Sequence, residues 1–349
     1  MNLPSIRTYS QQLLQPQFDT PQALVSWMGA VQAQNYAMSK WAVGIRLKNS
    51  TISAIETSLD KGEILRTHVM RPTWHLVDAH DIRWMCELSK KAIKAAAASH
   101  DKLLEIDEPL YSKVNALIEK MLAGNHHLTR EEIANNLQIN GIIVDSGRMV
   151  HFMQRAEIEG IVCSGKDKEK KQTYALIDER VPPTKKLNKE EALALLAKKY
   201  FQSHSPATVY DFAWWSGLSV TESKNAIALI DNELLKENID NKCYYIRQSA
   251  ETQWQAAENV HFLPAFDEYI IAYKYRNTVL ATEHQPKAFT KNGIFYPTIL
   301  HNGKAVGVWN KTQKSKNIEI NIDFFEKDFS LDKSLIAAAE TRYRFFLST

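Results

Sequence analysis

Three cysteines in 349 residues, Cys86, Cys163 and Cys243, are too few, too scattered and odd in number for a disulfide framework. They point instead to reduced thiols in a cytosol. With no CxxC and no Cys/His pairing at zinc-ligand spacing, no metal is expected, and no cofactor either. Also missing is any apolar run near the roughly 20 residues that cross a bilayer, so no membrane is expected. The start, Met1-Asn2-Leu3-Pro4-Ser5-Ile6-Arg7, lacks the apolar stretch of a secretory signal. There is no P-loop, no GxGxxG between a strand and a helix, no HExxH and no GxSxG, which removes nucleotide-driven and common hydrolase chemistry. Charge of one sign is scarce too: 43 Lys and Arg against 40 Asp and Glu leave +3, which neither demands nor forbids a polyanionic partner. No heptad seam asks for a second chain, so a monomer is expected.

What is present is a repeat. Leu128 to Leu137 reads as a helix, a Gly-bearing turn follows, and Ser146 to Ile158 reads as a second helix. Next comes a hairpin-like stretch from Ile161-Val162 through the charged tip Lys166–Lys171 to Tyr174-Ala175-Leu176. The pattern returns as Ala207 to Gly217, Val220 to Leu235, and Asn238 to Ile246 with Asp240-Asn241-Lys242 at its tip. Helix, turn, helix and hairpin make a winged helix, a unit that lies along a DNA duplex.

The first hundred residues carry a worn third copy. Thr20-Pro21 pairs an N-cap with a proline at the first helical position, ahead of an apolar stripe of Leu24, Val25, Trp27, Met28 and Val31. A helix opens at Thr51-Ile52, and Ile64–Met70 with Thr73–Val77 read as two strands around Arg71-Pro72. Residues 78 to 105 read as a long helix capped by Asp78, and residues 109 to 123 and Asn188 to Gln202 as entry helices of the next modules. Beyond residue 258 short β-like runs take over, including Ile270–Tyr273, Thr298–Leu300, Ala305–Trp309 and Ile318–Ile322. His301-Asn302-Gly303-Lys304 is a hairpin signal, and Asp332 to Phe346 reads as a closing helix. The expected fold is mainly α with β (α+β): winged helices over 1–105, 106–184 and 185–257, then a small β-barrel-like domain with a terminal helix over 258–349.

Several residues are candidates for chemistry. Gln32-Ala33-Gln34 lies in the first apolar helix, where residues two apart do not share a face, so aiming both amides at one site requires the helix to end or loosen there. An amide both donates and accepts and can hold a water; the plainer alternative is a solvated helix end. Arg71 and His75, read as i and i+4 on one strand face, suit a polar pocket or a phosphate, although a histidine in such a run is commonly just packed. Asp267 and Glu268 are adjacent acids in an apolar segment, either at a helix N-terminus or supporting a site. Lys166, Lys168, Lys170 and Lys171 on the hairpin tip, Arg148 and Arg155 on the helix before it, and Lys224 are expected phosphate contacts.

Four segments occur in order from residue 24 to about 309: Gln32-Ala33-Gln34 after an amphipathic helix, Arg71-Pro72-Thr73-Trp74-His75-Leu76-Val77, Phe262-Leu263-Pro264-Ala265-Phe266-Asp267-Glu268-Tyr269 with Arg276 downstream, and Val306-Gly307-Val308-Trp309. Together they resemble the AlkZ/YcaQ family of bacterial DNA glycosylases, winged-helix proteins that unhook interstrand crosslinks and remove bulky or alkylated purines. The resemblance implies three tandem winged helices in a C shape with a C-terminal β-barrel, and a monofunctional glycosylase acting on duplex DNA in the bacterial cytosol, at the nucleoid. It implies that Gln32 and Gln34, the Gln-x-Gln form of a motif that also occurs as Gln-x-Asp, position the attacking water and stabilise the sugar cation. No lysine stands in the motif to form a Schiff base, which argues against lyase chemistry. The competing reading is a DNA-binding regulator without catalysis.

Overall fold

The structure is a computed structural model describing residues 2–248, 258–314 and 317–348. Helices hold 48% and strands 19% of the chain, a mixed fold in which helix dominates. It divides into two compact units, residues 57–193 and residues 1–56 with 194–349. The chain therefore leaves one unit, builds the other and returns. The four consecutive modules expected from the sequence are grouped differently: residues of the first, 1–105, fall in both units.

In the 57–193 unit, Ile64–His68 and Trp74–Asp78 form an antiparallel hairpin, Ile64 opposite Asp78 and His68 opposite Trp74. Asp78 is thus the end of a strand and not the expected helix cap; the long helix is Ile82–Leu103. The carboxylate of Asp78 instead accepts from the main chain of His80. Helix Glu108–Leu122 starts at Asp107, whose side chain accepts from Leu110 N–H, satisfying one of the open donors of the first turn. Helix Arg130–Ile139 begins with a reciprocal capping box between Thr129 and Glu132, and Ser146–Ile158 follows behind Asp145. Strand Thr173–Leu176 lies between Leu128–Thr129 and Val162–Ser164 in a three-stranded sheet. Val114, Ile118, Leu122, Ile133, Leu137, Phe152 and Val162 are fully buried together, so the helices and the hairpin share one core.

The second occurrence of the helix–helix–hairpin order lies in the other unit: Val209–Ser216, Val220–Ala228, then Leu234–Ile239 paired with Lys242–Arg247. Its second helix stops seven residues earlier than expected, because Leu234 and Leu235 already belong to the hairpin. Asp240 and Asn241, at φ 49° and 59°, make the tight turn, a conformation that Asp and Asn tolerate better than other side chains.

The C-terminal segment is a four-stranded antiparallel sheet with Asn317–Phe324 and Val260–Leu263 at its edges and Lys304–Lys314 and Thr298–His301 between them. Among the described residues it does not close into the expected barrel. Four strands are fewer than small barrels use, and one edge strand is half the length of the other. Asn302 and Gly303, at φ 47° and 79°, form the expected hairpin turn. The run Ile270–Tyr273 is not a strand: Asp267 caps a short helix, Glu268–Ile271, by accepting from Tyr269 N–H. A short run buried on every side carries no period, so its apolar content alone could not separate the two. Helix Lys333–Leu347 packs on helix Tyr36–Gly44, with Trp41 against the rings of Tyr343 and Phe346 at 5.0 Å. The Trp41 indole donates to the Phe262 carbonyl at 2.7 Å, tying that helix to the sheet as well.

Candidate active site

The Gln32-Ala33-Gln34 segment is not helical. Helix Pro21–Met28, capped by Thr20, ends at Gly29 with φ 77° and ψ −54°, and Val31–Gln32 is extended. In extended chain residues two apart face one side, whereas on a helix they diverge by about 200°. The strand is two residues long and the chain bends at Gln34: Val31 and Ala33 are sealed in the core, Gln32 keeps 8% of its surface, and Gln34 is exposed. The helix that would splay the two amides apart is therefore over before Gln32. The next helix, Tyr36–Gly44, restarts at once behind Asn35, whose side chain accepts from Met38 N–H.

Gly29 is the breaker, and its surroundings are tight for a side chain. A Cβ there would sit 3.1 Å from Lys199 Cβ and 3.3 Å from the Trp215 ring. The same lysine donates from Nζ to the Ser26 carbonyl at 2.8 Å, closing the open end of the helix. Gly29→Ala is expected to destabilise the protein by about 1–3 kcal/mol through backbone strain alone. Urea unfolding checks this; a loss under about 0.5 kcal/mol would show that the backbone relaxes around the new methyl.

Behind the glutamines lies a buried polar cluster. Gln32 N–H donates to Glu268 Oε1 at 2.7 Å, and the Trp215 indole donates to Oε2 at 3.1 Å. His204 Nε2 lies 3.7 Å from Oε2, beyond a hydrogen bond but within ion-pair range. Burial pushes the proton affinity of His204 down, and the Glu268 carboxylate opposes that shift. The Tyr200 ring stacks on His204 at 4.9 Å, and the Ser203 hydroxyl lies 2.7 Å from its Nδ1. Next to Glu268, Asp267 receives both arms of Arg46 at 2.7 and 2.8 Å, while Arg46 also donates to Gln11 and to the Ala42 carbonyl. Asp267 is thus both a helix cap and half of a sealed ion pair, and Glu268 is the acid that reaches the motif.

Arg46, His204 and Trp215 were not legible as site residues. A lone arginine after the apolar run Trp41–Ile45 was a signal in principle, since a charge there needs a buried partner. Nothing local marks His204 or Trp215.

The remaining expected residues separate into packed and exposed groups. His75 is fully buried in its strand, its Nδ1 3.0 Å from the Thr73 carbonyl; burial and then the Arg71 guanidinium hold its proton affinity well below the usual range. Arg71 stands in the turn before that strand, so the two do not share a strand face as expected. Arg148 and Arg155, expected at the DNA surface, serve the fold. Arg148 donates to the carbonyls of Leu104, Glu105 and Ile143, and Arg155, 5% exposed, pairs with Glu108 and lies over the Tyr111 ring. Lys166, Lys168, Lys170 and Lys171 are all exposed on the 164–173 tip, and Lys224 is exposed on its helix. Lys168 pairs with Glu132 at 2.7 Å and Lys171 lies 3.6 Å from Glu131, so part of the tip's charge is spent within the fold.

The family described as DNA glycosylase AlkZ-like matches residues 25–346, and the chain belongs to it: it is a DNA glycosylase. Its relatives include the interstrand DNA cross-link repair glycosylase of Streptomyces sahachiroi, 22% identical over 305 residues, covering 82% of this chain and 81% of that protein. The solved structure of Streptomyces sahachiroi DNA glycosylase AlkZ matches with a TM-score of 0.83 at 18% identity, over 99% of this chain and 95% of that one. At that identity the structural likeness speaks for the fold alone.

Proposed function

We propose that this glycosylase is monofunctional and hydrolyses the N-glycosidic bond of N7-alkylated purines in duplex DNA, crosslinked guanines included. The observation that carries the reading is the non-helical Gln32–Gln34 segment, held at Gln32 by Glu268 and exposed at Gln34. N7-alkylation gives guanine a formal positive charge, so when the bond from C1′ to N9 breaks, its electron pair neutralises the base. The alkylguanine leaves neutral and the sugar is left as an oxocarbenium ion. Water then adds to C1′ and loses a proton to solvent. Little general acid is needed; what is needed is an oriented water and fixed dipoles near the cation, and the side-chain amides of Gln32 and Gln34 supply both.

The helix–helix–hairpin elements within 106–184 and 185–257 are read as winged helices that hold the duplex. Crosslinked DNA enters the reading through the name of the S. sahachiroi relative. A crosslinked base cannot be swung through the stack as a small lesion can, so it would be attacked in an open cleft.

The test is abasic-site formation on duplex DNA carrying 7-methylguanine, paired with a binding curve on the same duplex. Base release supports the reading. Binding without release at high enzyme excess would remove N7-alkylated purines as the substrate of this glycosylase.

Converting Lys168, Lys170 and Lys171 together to Glu is expected to weaken duplex binding and to flatten its dependence on salt by up to about three units of log–log slope. An unchanged slope in a salt titration would remove the tip from the DNA contacts.

A further inference from the structure

The main-chain N–H of Gln32 sits in a two-residue strand and is buried, so it must find an acceptor or cost stability. It finds a carboxylate 236 residues away, at 2.7 Å, the short distance of a charge-assisted bond. That carboxylate is fully buried, and its other oxygen is occupied by the Trp215 indole. Trp215 in turn packs against Gly29, the residue that breaks the helix and releases the segment. Glu268 therefore joins the break in the helix to the first glutamine. We infer that Glu268 is the positioning residue of the Gln-x-Gln segment: it fixes the main chain at Gln32 and so sets where both amides point, while Trp215 holds its second oxygen in place. Glu268 touches no substrate; it acts through Gln32. This rests on the reading of Gln32 and Gln34 as the catalytic pair.

The isosteric variant Glu268→Gln isolates the effect. An amide has one acceptor, and Glu268 uses two. If the amide oxygen faces Gln32, its NH2 meets the Trp215 N–H, donor against donor; if it is flipped, the Gln32 N–H loses its acceptor. Either orientation loosens the segment. Trp215→Phe removes the offending indole N–H, so in the double variant the amide oxygen can return to Gln32 while its NH2 faces the Trp215 ring position and His204 Nε2.

Four measurements are made on the parent, Glu268→Gln, Trp215→Phe and the double variant: release of 7-methylguanine at saturating enzyme, duplex Kd, hydrogen exchange at the Gln32 amide, and thermal stability. Glu268→Gln is expected to release base at least about tenfold more slowly, as misplacement of a catalytic group by a fraction of an ångström does, with Kd within about twofold of the parent. Gln32 amide exchange should accelerate at least about tenfold. The double variant should recover most of both losses relative to Trp215→Phe. Parental exchange at Gln32 in Glu268→Gln, or parental release, overturns the inference. So does loss of duplex binding in step with loss of thermal stability, which would make Glu268 a packing residue only. If Gln34→Ala releases base as fast as the parent, the reading of the glutamines fails instead, and the exchange data still decide whether Glu268 anchors the segment.

Discussion

Gln34→Ala should release 7-methylguanine from duplex DNA at least about tenfold more slowly than the parent, and as much as a hundredfold, with unchanged affinity for the duplex. The effect should fall on the chemical step because Gln34 is exposed: its amide supports no core, and alanine leaves the main chain free to keep its course. What is lost is one preorganised dipole at the developing sugar cation and one of two groups orienting the water. Single-turnover release at saturating enzyme reads this without interference from binding. Gln32→Ala should slow release too, but Gln32 is mostly buried, so its variant needs a stability control that Gln34 does not. Equal rates for Gln34→Ala and parent would remove the Gln-x-Gln assignment.

Asp267→Ala should cost about 3–5 kcal/mol of stability, the loss typical of a buried ion pair broken from one side. Arg46 and Asp267 are almost completely sealed, and the guanidinium sends both arms into the carboxylate at 2.7 and 2.8 Å. Without Asp267 the arginine keeps Gln11 and the Ala42 carbonyl as neutral acceptors, which do not compensate a desolvated charge. The helix Glu268–Ile271 loses its cap in the same stroke. Arg46→Met combined with Asp267→Leu should be less damaging than either Asp267→Leu or Arg46→Met alone, because removing both charges relieves the stranded one. Urea unfolding of the four proteins measures this. Additive losses in the double variant would mean that the two side chains act independently.

Much of the local structure was legible because it is governed by neighbours in sequence. Thr20-Pro21 set a helix start and Asn302-Gly303 set a hairpin, each through a bond or a backbone angle decided within a few residues. Misreadings cluster where local cues compete. Asp78 is a good cap by type, yet its place opposite Ile64 makes it a strand residue, and the helix begins four residues later. Leu234 and Leu235 continue a helical pattern on paper, but pairing with Arg247 and Ile246 draws them into a hairpin. Arg155 has the charge of a phosphate contact, but its helix face turns it toward Glu108 and Tyr111.

By itself the sequence determined the helix–helix–hairpin repeat, the glutamine pair with the residues flanking it, and the family, since each is carried by residue types at short spacing. Tertiary structure alone decided what holds the pair. Glu268 reaches Gln32 across 236 residues, and Arg46 reaches Asp267 across 221. Short-range rules act over a helical turn or a hairpin, so they say nothing of which distant donor will meet which acceptor. That choice is made when burial leaves the Gln32 N–H and the Arg46 guanidinium needing partners, and the fold brings one acid to each.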